Sequence, residues 1–131
     1  MENKIVVHMK DGTVHKGITN DFAPGAEAFH LLPAEGGGVP ARVPVTGMKA
    51  LFYVKDWVGN RYFVARRQFD EAHRTARKAV LTFSDGESIW GLVGEGADSD
   101  PGFFFFPADE QDNNIRIYVV RSSLRELRFV P

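Results

Sequence analysis

The chain has 131 residues, of which 44% are hydrophobic and 12% aromatic, and its formal net charge is −1. This length suits one ordinary domain or two very small ones, and the composition favours a packed core over disorder. A nearly neutral chain has no global attraction for nucleic acid or anionic membranes, so such binding would need a local basic patch. The lack of cysteine excludes disulfides and thiolate metal sites.

The N-terminal segment passes from a few polar residues directly into an apolar run. It has no signal-peptide core, and no apolar stretch approaches the roughly 20 residues that a membrane span requires. We therefore expect a cytoplasmic protein with no membrane contact.

Five short strands are predicted in the first part of the chain. Asp11-Gly12 separates apolar runs at 5–9 and 13–19 and is a strong hairpin signal, because glycine accepts a positive φ where the chain reverses. A two-residue turn would place His8 opposite His15, whereas a three-residue turn would not. The remaining strands are expected at 29–32, at 39–45 as a proline-containing edge strand, and at 48–54.

The same order of strands recurs after residue 77. Ala28–Glu35 and Gly102–Asp109 share the pattern aromatic-x-apolar-x-Pro-Ala-acid, so that Phe29 corresponds to Phe103. The sequence therefore predicts one unit at 1–54, a linker at 55–77 and a duplicate unit at 78–131. A short helix is predicted in the linker, around Phe63 to Ala72.

Two spacings carry a resemblance to a known family. Val7-x-Met9-Lys10-Asp11-Gly12-x4-Gly17, and the corresponding run from Leu81 to Gly91, resemble the first signature of Sm-like proteins. The chain is also similar to uncharacterised bacterial families of unknown function that are built from two such repeats. The resemblance implies an all-β fold of two tandem Sm/SH3-like small β-barrels related by internal duplication. It implies a bacterial protein and no activity, and the RNA-contact residues of Sm-like proteins do not carry over.

No arrangement of residues favours catalysis or a metal. Two histidines, His8 and His15, would make an incomplete zinc site even if paired. The acidic residues at 98–112 do not have the spacing of an EF-hand. No phosphate loop, nucleophile elbow or Ser-His-Asp order is present. We expect a protein that is not an enzyme and has no cofactor and no metal.

The run Gly102-Phe103-Phe104-Phe105-Phe106 gives the sharpest prediction. Because side chains alternate along a strand, Phe103 and Phe105 should face the core while Phe104 and Phe106 face outward. An exposed phenylalanine pair is unfavourable in water, so cover is expected, first from the chain itself and next from a homodimer or a partner protein. The predicted partner-binding residues are Phe104, Phe106 and their counterparts His30 and Leu32.

The linker supports an alternative function. Arginines interleaved with aromatic residues suit stacking and phosphate contacts to single-stranded RNA or nucleotides. The residues predicted for that role are Trp57, Arg61, Tyr62, Arg66 and Arg67. We prefer the simpler interpretation that the aromatic residues fill the gap between two barrels while the arginines pair with nearby acidic residues. The expected function is a non-enzymatic protein-interaction or scaffold module, in signalling or assembly.

Overall fold

The fold is all-β, as predicted. The computed structural model describes residues 3–35, 38–59, 63–69, 77–94 and 101–131, and this part contains ten β-strands, two short 3-10 turns and no α-helix. No described segment forms a helix long and apolar enough to cross a membrane. The strands are β1 (Lys4–Met9), β2 (Val14–Ile18), β3 (Ala28–Pro33), β4 (Ala41–Pro44), β5 (Met48–Val54), β6 (Lys78–Phe83), β7 (Ser88–Val93), β8 (Gly102–Pro107), β9 (Asn114–Val120) and β10 (Leu124–Phe129).

All ten strands join one antiparallel sheet with the order β10-β6-β7-β8-β9-β5-β1-β2-β3-β4. The N-terminal half (β1–β5) therefore has the order β5-β1-β2-β3-β4, and the C-terminal half (β6–β10) has the corresponding order β10-β6-β7-β8-β9. The halves meet where β5 pairs with β9, with Phe52 opposite Ile117. This junction is a strand ladder between the halves, with one register shift between Tyr53 and Val54.

Two sequence predictions need correction here. The linker helix is wrong over 63–69, where the chain is irregular, and residues 70–72 lie outside the described residues. The fourth strand begins at Ala41 rather than Val39, whose side chain is 87% exposed. Pro40 separates Val39 from the strand, and a proline cannot donate a backbone hydrogen bond to a ladder.

The structure also decides between the two hairpin turns. The Met9 N–H donates to the Thr13 carbonyl over 2.9 Å, and Gly12 has φ 93°, which defines a three-residue turn. His8 therefore lies opposite Val14 and not opposite His15. The β6–β7 turn is built in the same way, with Gly86 at φ 96°.

The Pro-Ala-acid pattern found twice in the sequence has the same structural role in both halves. The Ala34 N–H donates to the Lys16 carbonyl over 3.0 Å, and the Ala108 N–H donates to the Trp90 carbonyl over 2.9 Å. Each bond ties the end of β3 or β8 back to the strand beside it. The proline before each alanine ends the strand, because it supplies no further donor.

Two hydrophobic cores lie on opposite faces of β5. Ala50 and Phe52 belong to a core formed mainly by the C-terminal half. Leu51 and Tyr53 belong to a core formed mainly by the N-terminal half. All seven residues of β5 are buried, because one strand lines both cores with alternate side chains.

A close backbone approach fixes the bend of β7. A Cβ at Gly91 would meet the Phe106 carbonyl oxygen and the ring of Phe105, although the backbone of Gly91 does not need a positive φ. A side chain at this position would therefore push β8 away from β7. The loss of stability from a side chain at Gly91 would therefore come from steric overlap and not from backbone strain.

We expect Gly91→Ala to lower the free energy of unfolding by about 1–3 kcal/mol, as overpacking does elsewhere. Gly38→Ala is the matched control, because its Cβ would come no closer than 3.4 Å to the Pro33 ring and the substitution restricts the unfolded chain. Urea unfolding of both variants measures the difference. Equal stability of the two variants would show that β7 and β8 can separate without cost.

Candidate protein-interaction site

The predicted core residues of β8 are confirmed, and Phe104 is covered by its own chain. Phe103 is 1% exposed and Phe105 is fully buried. Phe104 is only half-buried by area, but its ring lies 5.4 Å from Tyr118 and 6.5 Å from Tyr53, and Arg116 stacks on it at 4.8 Å. Phe104 therefore fills the edge of the N-terminal core, and intrachain contacts account for it.

The other three predicted partner-binding residues stay exposed. Phe106 is 40% exposed and Leu32 is 41% exposed, and His30 is also exposed. Phe106 lies on β8, whereas His30 and Leu32 lie on β3, and four strands separate β8 from β3 in the sheet. The structure therefore brings His30 and Leu32 together and leaves Phe106 apart from them.

His30 and Leu32 line an apolar groove of about 550 Å³ beside β3. Val39, Pro40 and Ile18 add apolar lining, and the β2–β3 loop adds polar residues. We call this surface the β3 groove; its lining residues are Ile18, Asn20, Asp21, His30, Leu32, Val39 and Pro40. Leu32 and the largely exposed Val39 leave apolar surface in water, which is unfavourable in a free chain.

A polar pair stands at the rim of this groove. The Asp21 carboxylate accepts a hydrogen bond from the His30 backbone N–H over 2.8 Å and lies 2.7 Å from His30 Nδ1. These bonds, the backbone one first, hold the pKa of Asp21 below its usual value. Since a carboxylate only accepts, Nδ1 must donate, and Nε2 of the exposed ring has no partner among the described residues. In the neutral form of the ring, Nε2 is then an acceptor that a ligand can use.

Two of the linker residues predicted to bind RNA, Trp57 and Arg66, contact the sheet or its turns. The Trp57 indole N–H donates to the Gly17 carbonyl over 3.3 Å, and Lys4 covers the ring at 5.3 Å. The Arg66 backbone N–H donates to the Asp109 carboxylate over 2.9 Å, and its guanidinium Nε is 3.8 Å from the same oxygen. Arg67 is exposed, while Arg61 and Tyr62 lie outside the described residues. Arg66 thus pairs with Asp109 of the β8–β9 turn, and the acidic residues Asp70 and Glu71 lie outside the described residues.

A cleft of about 290 Å³ runs between the linker and the sheet. Three carboxylates line it, Glu87, Asp109 and Asp112, against the two arginines Arg66 and Arg67. Burial raises the pKa of Asp112, and the nearby charge of Asp109 adds to the effect. An acidic lining does not favour a phosphate backbone.

The two histidines of the first hairpin form no site. His8 packs edge-on against the Phe52 ring at 4.9 Å, and burial lowers its pKa, with the charge of Lys49 adding to the effect. Among the residues that the structure describes, no group of three or more histidine, aspartate or glutamate side chains could hold a metal ion.

Sequence reasoning missed a charged cluster that links the two halves. Lys49 of β5 is buried, and its ammonium lies 2.7 Å from the Asp85 carboxylate and 2.6 Å from that of Glu87. Desolvation of the ammonium lowers the pKa of Lys49, but the two carboxylates outweigh it and the pKa is raised overall. The hydrogen bond from Lys49 is the main reason that the pKa of Asp85 is lowered. The residues are too far apart in sequence for a local pattern to reveal the cluster.

We expect Asp85→Asn to lower the stability at pH 7 by about 1 kcal/mol, which is a fall in Tm of about 3–5 °C. The folded pKa of Asp85 lies below its ordinary value of 3.8, so its contribution is complete above pH 3.8 and is lost as the pH falls through the folded pKa. Thermal unfolding from pH 7 to pH 2 should show the two curves converging below pH 3.8. The control is Glu110→Gln, at an exposed position without an ion pair in the described part, which should leave Tm unchanged at pH 7 and at pH 2. A difference in Tm between wild type and Asp85→Asn that stays constant with pH would contradict the assignment.

Comparison with known proteins adds a family and no activity. No curated protein and no solved structure matches the chain. A family model described as a family of unknown function, DUF6982, matches residues 1–131. Since the match covers the whole sequence, the chain belongs to the family DUF6982.

Proposed function

We propose that the two halves are copies of one small Sm/SH3-like barrel unit, at 1–54 and 78–131, joined by the linker at 55–77. The corresponding strand orders, the matching three-residue turns and the paired Pro-Ala hydrogen bonds support this proposal. Related barrels serve many purposes, so the fold by itself names no function. The function must be argued from the surface.

The chain acts as a non-enzymatic protein-interaction module in a bacterial cytoplasm, in signalling or assembly. The observation that carries this proposal is the β3 groove. At the position corresponding to His30, the C-terminal half has Phe104, which its own chain covers. The N-terminal half leaves its groove open, with Leu32 41% and Val39 87% exposed.

The chemistry of the groove supports one kind of partner. Leu32, Val39 and Pro40 suit an apolar side chain, while Nε2 of His30 suits a hydrogen-bond donor beside it. An extended protein segment offers both, because it presents backbone N–H groups between its side chains. The partner of this proposal is a protein segment with one apolar anchor residue.

RNA or nucleotide binding through the linker stays the alternative prediction. Its described residues Trp57 and Arg66 already contact the chain itself, and Arg67 is the exposed arginine of the set. The protein-interaction proposal is favoured because its groove needs no rearrangement to accept a ligand.

We expect the tagged chain to retain a protein from native lysate, with or without nuclease, and to lose it in the double variant Leu32→Ser with Val39→Ser. Removing the apolar walls takes away the surface that a partner would bury. Mass spectrometry of the retained proteins measures the loss.

The matched control is Val14→Ser with Val58→Ser, whose side chains are 46% and 85% exposed but lie outside the groove. It should retain the partner as the wild type does. Nuclease-sensitive retention that Arg67→Ala abolishes would favour the alternative instead. Retention that survives loss of Leu32 and Val39 would overturn the groove assignment.

A further inference from the structure

The sheet has two outer edges, β4 and β10, and they differ in what they can bind. Among the described strands, none pairs with the outer edge of β10 or of β4. An open strand edge presents unpaired N–H and C=O groups and pairs readily with another strand unless it is blocked. Whether each edge is blocked follows from the residues whose backbone groups point outward.

Prolines block the β4 edge. The Val45 N–H donates to the Glu27 carbonyl over 2.9 Å, and Pro44 lies opposite Ala28. Because backbone groups alternate between the two sides of a strand, Pro44 and Arg42 face the outer side. Pro40, two residues before Arg42, falls on the same side. Proline has no N–H, so a strand arriving at this edge would find one donor, that of Arg42.

Within the part of the chain that the structure describes, the β10 edge is open. The Val130 N–H donates to the Lys78 carbonyl over 2.8 Å, and Phe129 lies opposite Ala79. By the same alternation, Leu127 and Phe129 direct their N–H and C=O groups outward. No proline interrupts this strand, and no described residue bonds to its outer backbone groups.

We propose that two copies of the chain form a dimer by antiparallel pairing of β10 with β10, with Leu127 opposite Leu127 of the second copy. A two-fold axis through Leu127 makes this a hydrogen-bonded pair, since the residue points its backbone groups outward. Glu126 of each copy then lies directly opposite Arg128 of the other. This proposal uses the far end of the sheet and does not depend on the β3 groove.

Charge complementarity selects this register. Glu126 and Arg128 are exposed and form no ion pair with any residue that the structure describes. In the proposed register, both face opposite charges at the non-hydrogen-bonded positions, where strands come closest. An axis through Glu126 or Arg128 would place that residue opposite its own copy in a non-hydrogen-bonded pair, so that like charges would meet. An axis through Phe129 would place Arg128 opposite Val130, which carries no charge.

The assembly also closes at two copies. A symmetric contact pairs the β10 edge of both chains, so only the two β4 edges remain free. Prolines prevent those edges from pairing with a further strand. The chain already shows that such an edge accepts a strand, because β5, the strand that corresponds to β10, pairs with β9 inside the molecule. A dimer is therefore expected, and a filament is not.

The test is a charge swap measured by sedimentation equilibrium over a range of protein concentrations. We expect wild type to dimerise, and we expect Glu126→Arg or Arg128→Glu to weaken dimerisation about tenfold or more, because each reversal creates two like-charge pairs. The double variant Glu126→Arg with Arg128→Glu restores the opposite pairs and should restore the dimer. A monomeric wild type, or a dimer that either single reversal leaves intact, overturns the proposal.

A cross-link tests the register independently. The chain has no cysteine, so Leu127→Cys places one thiol per chain at the proposed axis. Opposite residues of a hydrogen-bonded pair have Cα atoms about 5.5 Å apart, which suits a disulfide. Mild oxidation should give a covalent dimer on a non-reducing gel, whereas Val14→Cys, which is 46% exposed, should not. Equal cross-linking of both variants, or none in Leu127→Cys, counts against the register, and circular dichroism confirms that each variant is folded.

Discussion

The structure depends on β5 being covered on both faces and paired on both edges. β1 pairs with one edge and β9 with the other, and each face lies against a separate hydrophobic core. An antiparallel strand with one solvated face alternates apolar and polar residues. β5 instead reads Met-Lys-Ala-Leu-Phe-Tyr-Val, and the ammonium of its one charged residue, Lys49, is paired with Asp85 and Glu87.

This arrangement makes the two cores interdependent. β9 belongs to the C-terminal half, yet Tyr118 is buried in the core of the N-terminal half while Ile117 is buried in the other. Phe104 adds a second aromatic residue from the C-terminal half to the same N-terminal core. Separating the halves would expose these rings to water, at about 25 cal/mol for each Å² of apolar area. Each half is therefore stabilised by side chains of the other.

The sequence predicted the features that depend on local chemistry. Alternation along β8 correctly placed Phe103 and Phe105 in the core, and the Asp-Gly pairs correctly marked both hairpins. The sequence did not determine the length of each turn, because two- and three-residue turns accept the same residues. The cover on Phe104 and the partners of Lys49 come from strands distant in sequence. Alternation states which face a side chain takes and does not state what lies against that face.

Because alternation along a strand does not state what packs against each face, β5 and β10 can correspond in sequence position and still differ in composition. Where β5 has Ala50 and Phe52 facing a core, β10 has Glu126 and Arg128 facing solvent. A further unit stacked on that face would have to desolvate both charges, which is unfavourable without matched partners. Charges on the face and open backbone groups at the edge therefore favour contact through the edge. Glu126 and Arg128 of β10 are therefore the residues expected of a strand at the end of the sheet, where no core packs against that face.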